Sequence, residues 1–368
     1  MPSTSKPEAP DTYGHDAHKQ SRYVERLHIE TPSCPHVTFV DGNRLDEWLS
    51  RASSHLLALI SFGESPPALL RSIACPLLSI DLTPLIAPPL VEVWTSTEPV
   101  TVIHRDHFRA GMNGDVAAAF LSVEEVPGVN LETTTYQAYL RLLSELQALG
   151  YPYVWRLWNY FSGINDHVDG LERYQRFCMG RYDALMEMLP GFPASLPAGT
   201  AIGTASGPLH IYALAGTHPA QHLGNPRQIH AYEYPKNYGP RSPSFSRATI
   251  APINGSAQLF LAGTASIVGH ASQHIGSVHA QTHETIQNIQ ALLHHAEDTI
   301  DAGSFVGHHQ ASYKVYVRHQ PDLEPIRRII KDALLPQTPL LFLQGDLCRE
   351  ELLVEIEAVI TPGSRPVC

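Results

Sequence analysis

Sulfur and charge are both scarce in this 368-residue chain. Its five cysteines (Cys34, Cys75, Cys178, Cys348 and Cys368) are odd in number and lack CxxC spacing. That excludes a disulfide framework and points to reduced thiols in a cytoplasmic protein. Charged residues make up 17% of the chain and sum to −11 at pH 7. A nucleic-acid surface is therefore excluded, although a local arginine cluster can still hold a small anion. Long apolar runs are missing too. The most apolar region, Leu69–Trp94, is broken by Arg71, Asp81, Glu92 and the prolines Pro76, Pro84, Pro88 and Pro89, which argues against a membrane span. The N-terminus MPSTSKPEAPDTYGHDAHKQ has no apolar signal core. GxGxxG and GxxxxGK[ST] do not occur, so no nucleotide cofactor is expected. The 21 histidines, including His104, His107, His294–His295 and His308–His309, lack HExxH or Cys/His spacing, so no metal is expected either.

What is present is a 43% hydrophobic, ordinary globular composition, long enough for two domains. Residues 1–25 read as a disordered tail. Residues 26–100 alternate short apolar runs with proline-rich turns, with a few strands and a helix near Arg44–Ala58. From about Val91 the spacing of apolar residues predicts strands at Val91–Ser96, Asp115–Val123 and Tyr153–Phe161, and helices at Thr134–Leu149 and Leu171–Leu189. Strands at Gly199–Thr204 and Leu209–Ala213 follow. The same order returns with strands Arg247–Ile253 and Gln258–Ile267, helix Gln281–Ala296, strand Ser312–Arg318 and helix Leu323–Leu334. A closing hairpin is expected from Leu340–Gln344 and Leu352–Ile360, with a turn at Gly345–Glu350. The pattern β-β-α-β-α-β-β thus occurs twice, at roughly Val91–Ala215 and Arg247–Ile360, as a duplicated domain. Glu355 and Glu357 share one face of the last apolar strand. A carboxylate there is either solvated or held in a site that shifts its pKa.

The stretch FLAGTASIVGHASQHIGSVHAQTHETIQNIQALLHHA and the ending LLVEIEAVI resemble the YjgF/RidA enamine-deaminase family. That likeness implies an α+β fold of duplicated YjgF/RidA-like (chorismate-mutase-like) domains, with mixed sheets packed by helices. It places the family's acidic residue on Glu355, with His210 at the matching position of the first copy. The arginine by which those deaminases hold a carboxylate falls near Leu340 here.

A resemblance along nearly the whole chain is to the chorismatases. It is carried by VWRLWNYFSGIND (Val154–Asp166), YQRFCMGR (Tyr174–Arg181), YPKNYGPRSPSFSRA (Tyr234–Ala248), GTASIVGH (Gly263–His270) and Cys348 seven residues before Glu355. It implies a cofactor-free enzyme cleaving chorismate to 3-hydroxybenzoate, with 4-hydroxybenzoate as a further product, and pyruvate, for secondary metabolism. A cysteine at position 348 resembles the hydroxybenzoate-forming types. A hydrolytic chorismatase, or a non-catalytic small-metabolite binder of the same fold, stays open. The expected organisation is a tail (1–25), an N-terminal domain with an extension (26–215), a linker and substrate loop (216–246) and a C-terminal domain (247–368). Simple relatives of the fold are trimers, which makes residues 26–90 the candidate for part of a third copy and leaves a monomer or small homo-oligomer.

Cleaving an enol ether begins by protonating its methylene, which needs an acid kept protonated near neutral pH. Glu355, on an apolar strand, suits that role, with Glu357 as a control expected to be dispensable. Cys348 is either a small buried hydrophobe or a group that helps pose the ring. Two substrate carboxylates call for arginines. Arg156 is in mid-strand among Trp155, Trp158 and Tyr160, as a ligand or an internal ion pair. Arg241 and Arg247 flank a loop. Tyr212 and Tyr238 are candidates for hydrogen bonds to substrate or for plain core and rim positions. Gly263 would let a ring approach the backbone or mark a β-bulge.

Overall fold

The computed structural model describes residues 36–63, 75–253, 256–299, 304–334 and 338–363; the tail expected at residues 1–25 lies outside them. The chain begins with β1 (His36–Asp41), α1 (Leu45–Ala52), β2 (Leu56–Phe62), β3 (Leu77–Ile80), β4 (Thr83–Pro84) and β5 (Leu90–Thr95). It continues with β6 (Thr101–Arg105), β7 (Phe108–Met112), β8 (Val116–Val123), α2 (Leu131–Ala148) and β9 (Tyr153–Ser162). A short hairpin, β10 (His167–Val168) and β11 (Leu171–Glu172), precedes α3 (Arg173–Met188), β12 (Ala198–Thr204) and β13 (Leu209–Gly216). Then come β14 (Gln221–Leu223), β15 (Ala248–Ile253), β16 (Ser256–Ala265), the hairpin β17 (Ile267–Val268) and β18 (Ala271–Ser272), and α4 (Val278–Thr299). The chain closes with β19 (Ser304–Val317), α5 (Leu323–Ala333), β20 (Leu340–Gln344) and β21 (Val354–Gly363).

These elements make one α+β architecture of three mixed sheets. The middle sheet runs β12-β9-β13-β8-β7-β6, and the last runs β20-β19-β21-β16-β15-β14 with β4 added beyond β20. The two orders superpose strand for strand, each with one parallel pair (β12 with β9, β20 with β19) and antiparallel neighbours elsewhere. The first sheet, β3-β2-β5-β1, repeats the β20-β19-β21-β16 part with the same directions. The duplication therefore extends to a shortened third unit.

Two expectations change. Val91–Ser96 does not open the middle unit: β5 pairs with β1 and β2 of the first sheet. The closing hairpin is not a hairpin, because β19 lies between β20 and β21, as β9 lies between β12 and β13. Apolar periodicity marks that a run is buried but not which strand it pairs with. The buried run Tyr313–Val317 of β19 takes a partner on each edge.

The helices follow their apolar stripes. Asn130 caps α2 by accepting from the Thr133 N–H, and Tyr139, Leu142, Leu143 and Leu146 are buried on one face. α2 and α3 cover the outer face of the middle sheet, α4 and α5 that of the last, and α1 that of the first. The inner faces of all three sheets share one core, with Ile60 and Trp94, Phe120 and Trp158, and Phe260 and Tyr316 among its members. Among the described residues no helix is long and apolar enough to cross a membrane.

Candidate active site

A cavity of about 320 Å³ opens between the middle and last sheets. The middle unit supplies Thr200 on β12 and Tyr174, Gln175 and Arg181 around α3. The last unit supplies Gly263 on β16, Glu355 on β21 and Cys348 and Arg349 in the crossover before β21. The segment leading into β15 covers the cavity with Tyr234, Tyr238, Phe245 and Arg247.

Glu355 lies opposite Tyr316 on β19 and Ala265 on β16 and is 4% exposed. Its carboxyl rests on Gly263: a Cβ built there would meet Glu355 Oε1 at 1.9 Å, so only glycine leaves room for it. None of the hydrogen bonds among the described residues reaches this carboxyl. Burial, and then the neighbouring Glu357 charge, push its pKa from 4.5 to about 8, against the opposing pull of Arg156, Arg247 and Arg318. At neutral pH it is a buried, protonated acid facing a cavity. His210 occupies the corresponding place on β13, opposite Tyr160 of β9 as Glu355 is opposite Tyr316. It meets the Ser122 hydroxyl at 2.8 Å, and burial lowers its pKa to about 4, so it is neutral.

Cys348 borders the same cavity. Burial, with the Glu355 charge next, raises its thiol to about 12, so it is a thiol and not a thiolate at neutral pH. A small, weakly polar wall is what it contributes.

Two guanidinium groups supply cationic sites. Arg247 is 4% exposed and donates through Nη2 to the Tyr234 hydroxyl at 2.6 Å and the Ile229 carbonyl at 3.3 Å. Arg181 is 2% exposed and sits over Phe177 at 4.8 Å. Phe245 stacks between the two, 5.0 Å from Arg247 and 6.0 Å from Arg181. Among the described residues Arg247 Nε and Arg181 Nε and Nη2 have no hydrogen-bond partner. Buried N–H donors of a fixed charge left unmatched are costly; a bound carboxylate would satisfy them.

Tyr238 also lines the cavity, with its hydroxyl 3.1 Å from His270 Nδ1 and its ring 4.2 Å from the Arg349 guanidinium. Three expected ligands lie elsewhere. Arg156 is fully buried and does not line the cavity; its Nη2 pairs with Glu357 at 2.7 Å and meets Thr200 Oγ1 at 2.5 Å. It is the internal ion pair. Its position on β9 points it into the shared core, and Glu357 is there to neutralise it. Tyr212 faces that core as well, stacked on Trp158 at 4.3 Å. Arg241 is outside the cavity at the surface, 3.4 Å from Asp183 and over the Tyr182 ring. Glu357, expected as a dispensable control, has its carboxylate at the hub of a buried network.

Sequence reasoning missed Arg181, Arg349, Tyr234, Phe245 and Thr200. For Arg181 a signal existed. Tyr174, Phe177, Cys178 and Arg181 follow i, i+3, i+4, i+7 spacing, which puts an arginine on the buried stripe of α3. Replacing Arg181 or Arg247 is expected to weaken binding of a benzoate-type ligand by about 2–5 kcal/mol in calorimetry. Arg241→Ala is expected to change it by less than about 1 kcal/mol, as for an exposed pair.

The description "Chorismatase FkbO/Hyg5-like, N-terminal" matches residues 92–215. A 3-hydroxybenzoate synthase of Streptomyces hygroscopicus is 35% identical over 297 residues, covering 77% of this chain and 85% of that protein. The chain belongs to the chorismatase family. A chorismatase of the same organism is 33% identical over 358 residues, 94% of this chain and 99% of its own length. A chorismatase crystal structure at 1.08 Å resolution superposes with a TM-score of 0.79 and 30% identity, over 89% of this chain and 98% of the other. The similarity to both chorismatases thus spans all three sheets.

Proposed function

We propose that the chain converts chorismate to 3-hydroxybenzoate and pyruvate. The observation that carries this reading is the pairing of one protonated carboxyl, Glu355, with two partly unmatched guanidinium groups in a single cavity. Arg181 and Arg247 would take the two substrate carboxylates. Glu355 would give its proton to the methylene of the enol ether, leaving an oxocarbenium ion at the ether carbon. The ionised Glu355 would then be close enough to take back a proton as the ring aromatises. Hydroxybenzoate and pyruvate together contain the atoms of chorismate, so no co-substrate is needed.

Once the ether is protonated, water can complete a hydrolysis and leave a non-aromatic diol. Alternatively, the ring hydroxyl takes part and the ring aromatises. The second course requires bulk water to be kept from the ring. Cys348, un-ionised and packed against both the shared core and the helix-covered core, would provide that wall. Mixing the protein with chorismate and resolving products by chromatography tests the reading; release of no pyruvate would refute it. Cys348→Ala is expected to keep pyruvate release and to shift the ring product toward the diol. Hydroxybenzoate at the wild-type rate and ratio from that variant would reduce the thiol to packing.

A further inference from the structure

We infer that Thr200 is a positioning residue for the Glu355 acid, a role that rests on the function proposed above. The ladder between β16 and β21 slips between Leu261 and Thr264, a β-bulge centred on Ala262 and Gly263. The Ala262 N–H turns to β15 and bonds the Arg247 carbonyl at 2.9 Å. The Gly263 N–H crosses to the middle unit and donates to Thr200 Oγ1 at 2.9 Å. This is the residue whose missing side chain leaves the space filled by the Glu355 carboxyl.

The threonine hydroxyl is itself fixed. It donates to Glu357 Oε2 at 2.5 Å and accepts from Arg156 Nη2 at 2.5 Å, while the Thr200 carbonyl accepts from Asn159 Nδ2 at 2.9 Å. One side chain thus links the ion-paired core to the backbone on which the acid rests. Its effect on the reaction is exerted through Gly263 and Glu355, by keeping the carboxyl in one place above the cavity floor. Positioning errors of this kind reduce turnover more than they reduce binding.

Thr200→Val removes the hydroxyl at nearly constant shape, and Thr200→Ser restores it. In Thr200→Val, kcat for chorismate is expected to fall by about tenfold or more with KM within about threefold, and Thr200→Ser to recover kcat to within about threefold. Exchange of the Gly263 amide, followed by NMR, is expected to be about tenfold faster in Thr200→Val and near wild type in Thr200→Ser. If Thr200→Val does not fold, Thr200→Ala provides the same comparison. A kcat in the hydroxyl-free variant close to wild type, or a loss carried wholly by KM, overturns the inference. So does a wild-type Gly263 amide that exchanges like an open one, whatever the variants do. A wild type that releases no pyruvate would sink the functional reading, while the exchange comparison would still decide whether Thr200 holds Gly263.

Discussion

Glu355→Gln is expected to fold, to keep its affinity for a benzoate-type product, and to lose turnover by about a hundredfold or more, the range for a removed general acid. Glutamine fills the same space above Gly263 but has no proton to give. The pH profile of the wild type should carry the same signature. With its pKa raised to about 8 by burial and by Glu357, the acid is lost as pH rises through about 8, so kcat should fall on the alkaline side. Stability should move in parallel. The unfolded glutamate ionises near 4.5 while the folded one holds its proton to about 8. The folded state therefore binds more protons in that window and becomes less stable as pH rises through it. Glu355→Gln has no such group, so its Tm is expected to exceed that of the wild type, by more at pH 8 than at pH 5. Equal turnover in both proteins would remove Glu355 from its role.

The acid was legible in the sequence because a carboxylate within LLVEIEAVI conflicts with its apolar surroundings. Helices were legible for the same local reason, and α2, α3 and α5 begin and end within three residues of the expected bounds. The arginines were not sorted by local sequence. Arg156 and Arg181 are both charges among buried apolar neighbours, one on a strand and one on the buried stripe of a helix, yet one closes an ion pair and the other faces a cavity. What separates them is the partner of Arg156, Glu357, 201 residues away in the chain. Pairing of that kind belongs to tertiary structure and leaves no mark on periodicity. The stacking of Tyr212 on Trp158 and the strand β19 between β20 and β21 escaped local reading for the same cause. The shortened first unit was faint because its strands β1, β2, β3 and β5 hold four to seven residues each.

The second large effect is expected at Glu357. Its carboxylate takes Arg156 at 2.7 Å, Lys314 at 2.8 Å, Trp158 Nε1 at 2.7 Å and Thr200 at 2.5 Å, with the Tyr316 hydroxyl at 3.2 Å. Lys314 reaches on to Glu92 of β5 at 2.8 Å, and Glu92 accepts from Trp94 Nε1 at 2.7 Å. Two acids and two cations from all three sheets thus close a neutral cluster in the shared core. Glu357→Gln leaves that cluster with an unmatched positive charge, a change that costs about 3–5 kcal/mol in a buried pair. Denaturation at pH 7 should show that loss, together with a Tm several degrees lower. Arg156→Met should be destabilised as well, with product affinity retained because the residue does not reach the cavity. The pH dependence has the opposite sign to that of Glu355. Burial alone would raise the pKa of Glu357, but Lys314 and then Arg156 outweigh it and hold the carboxyl below its ordinary 4.5. Its contribution is therefore present above that value and lost as pH falls through the lower, folded one. Glu357→Gln should accordingly show a shallower acid limb in a Tm–pH profile, where Glu355→Gln flattens the alkaline side. If Glu357→Gln unfolds at the wild-type temperature, the cluster does not hold the three sheets together, and the anchoring of Thr200 through Glu357 loses its basis.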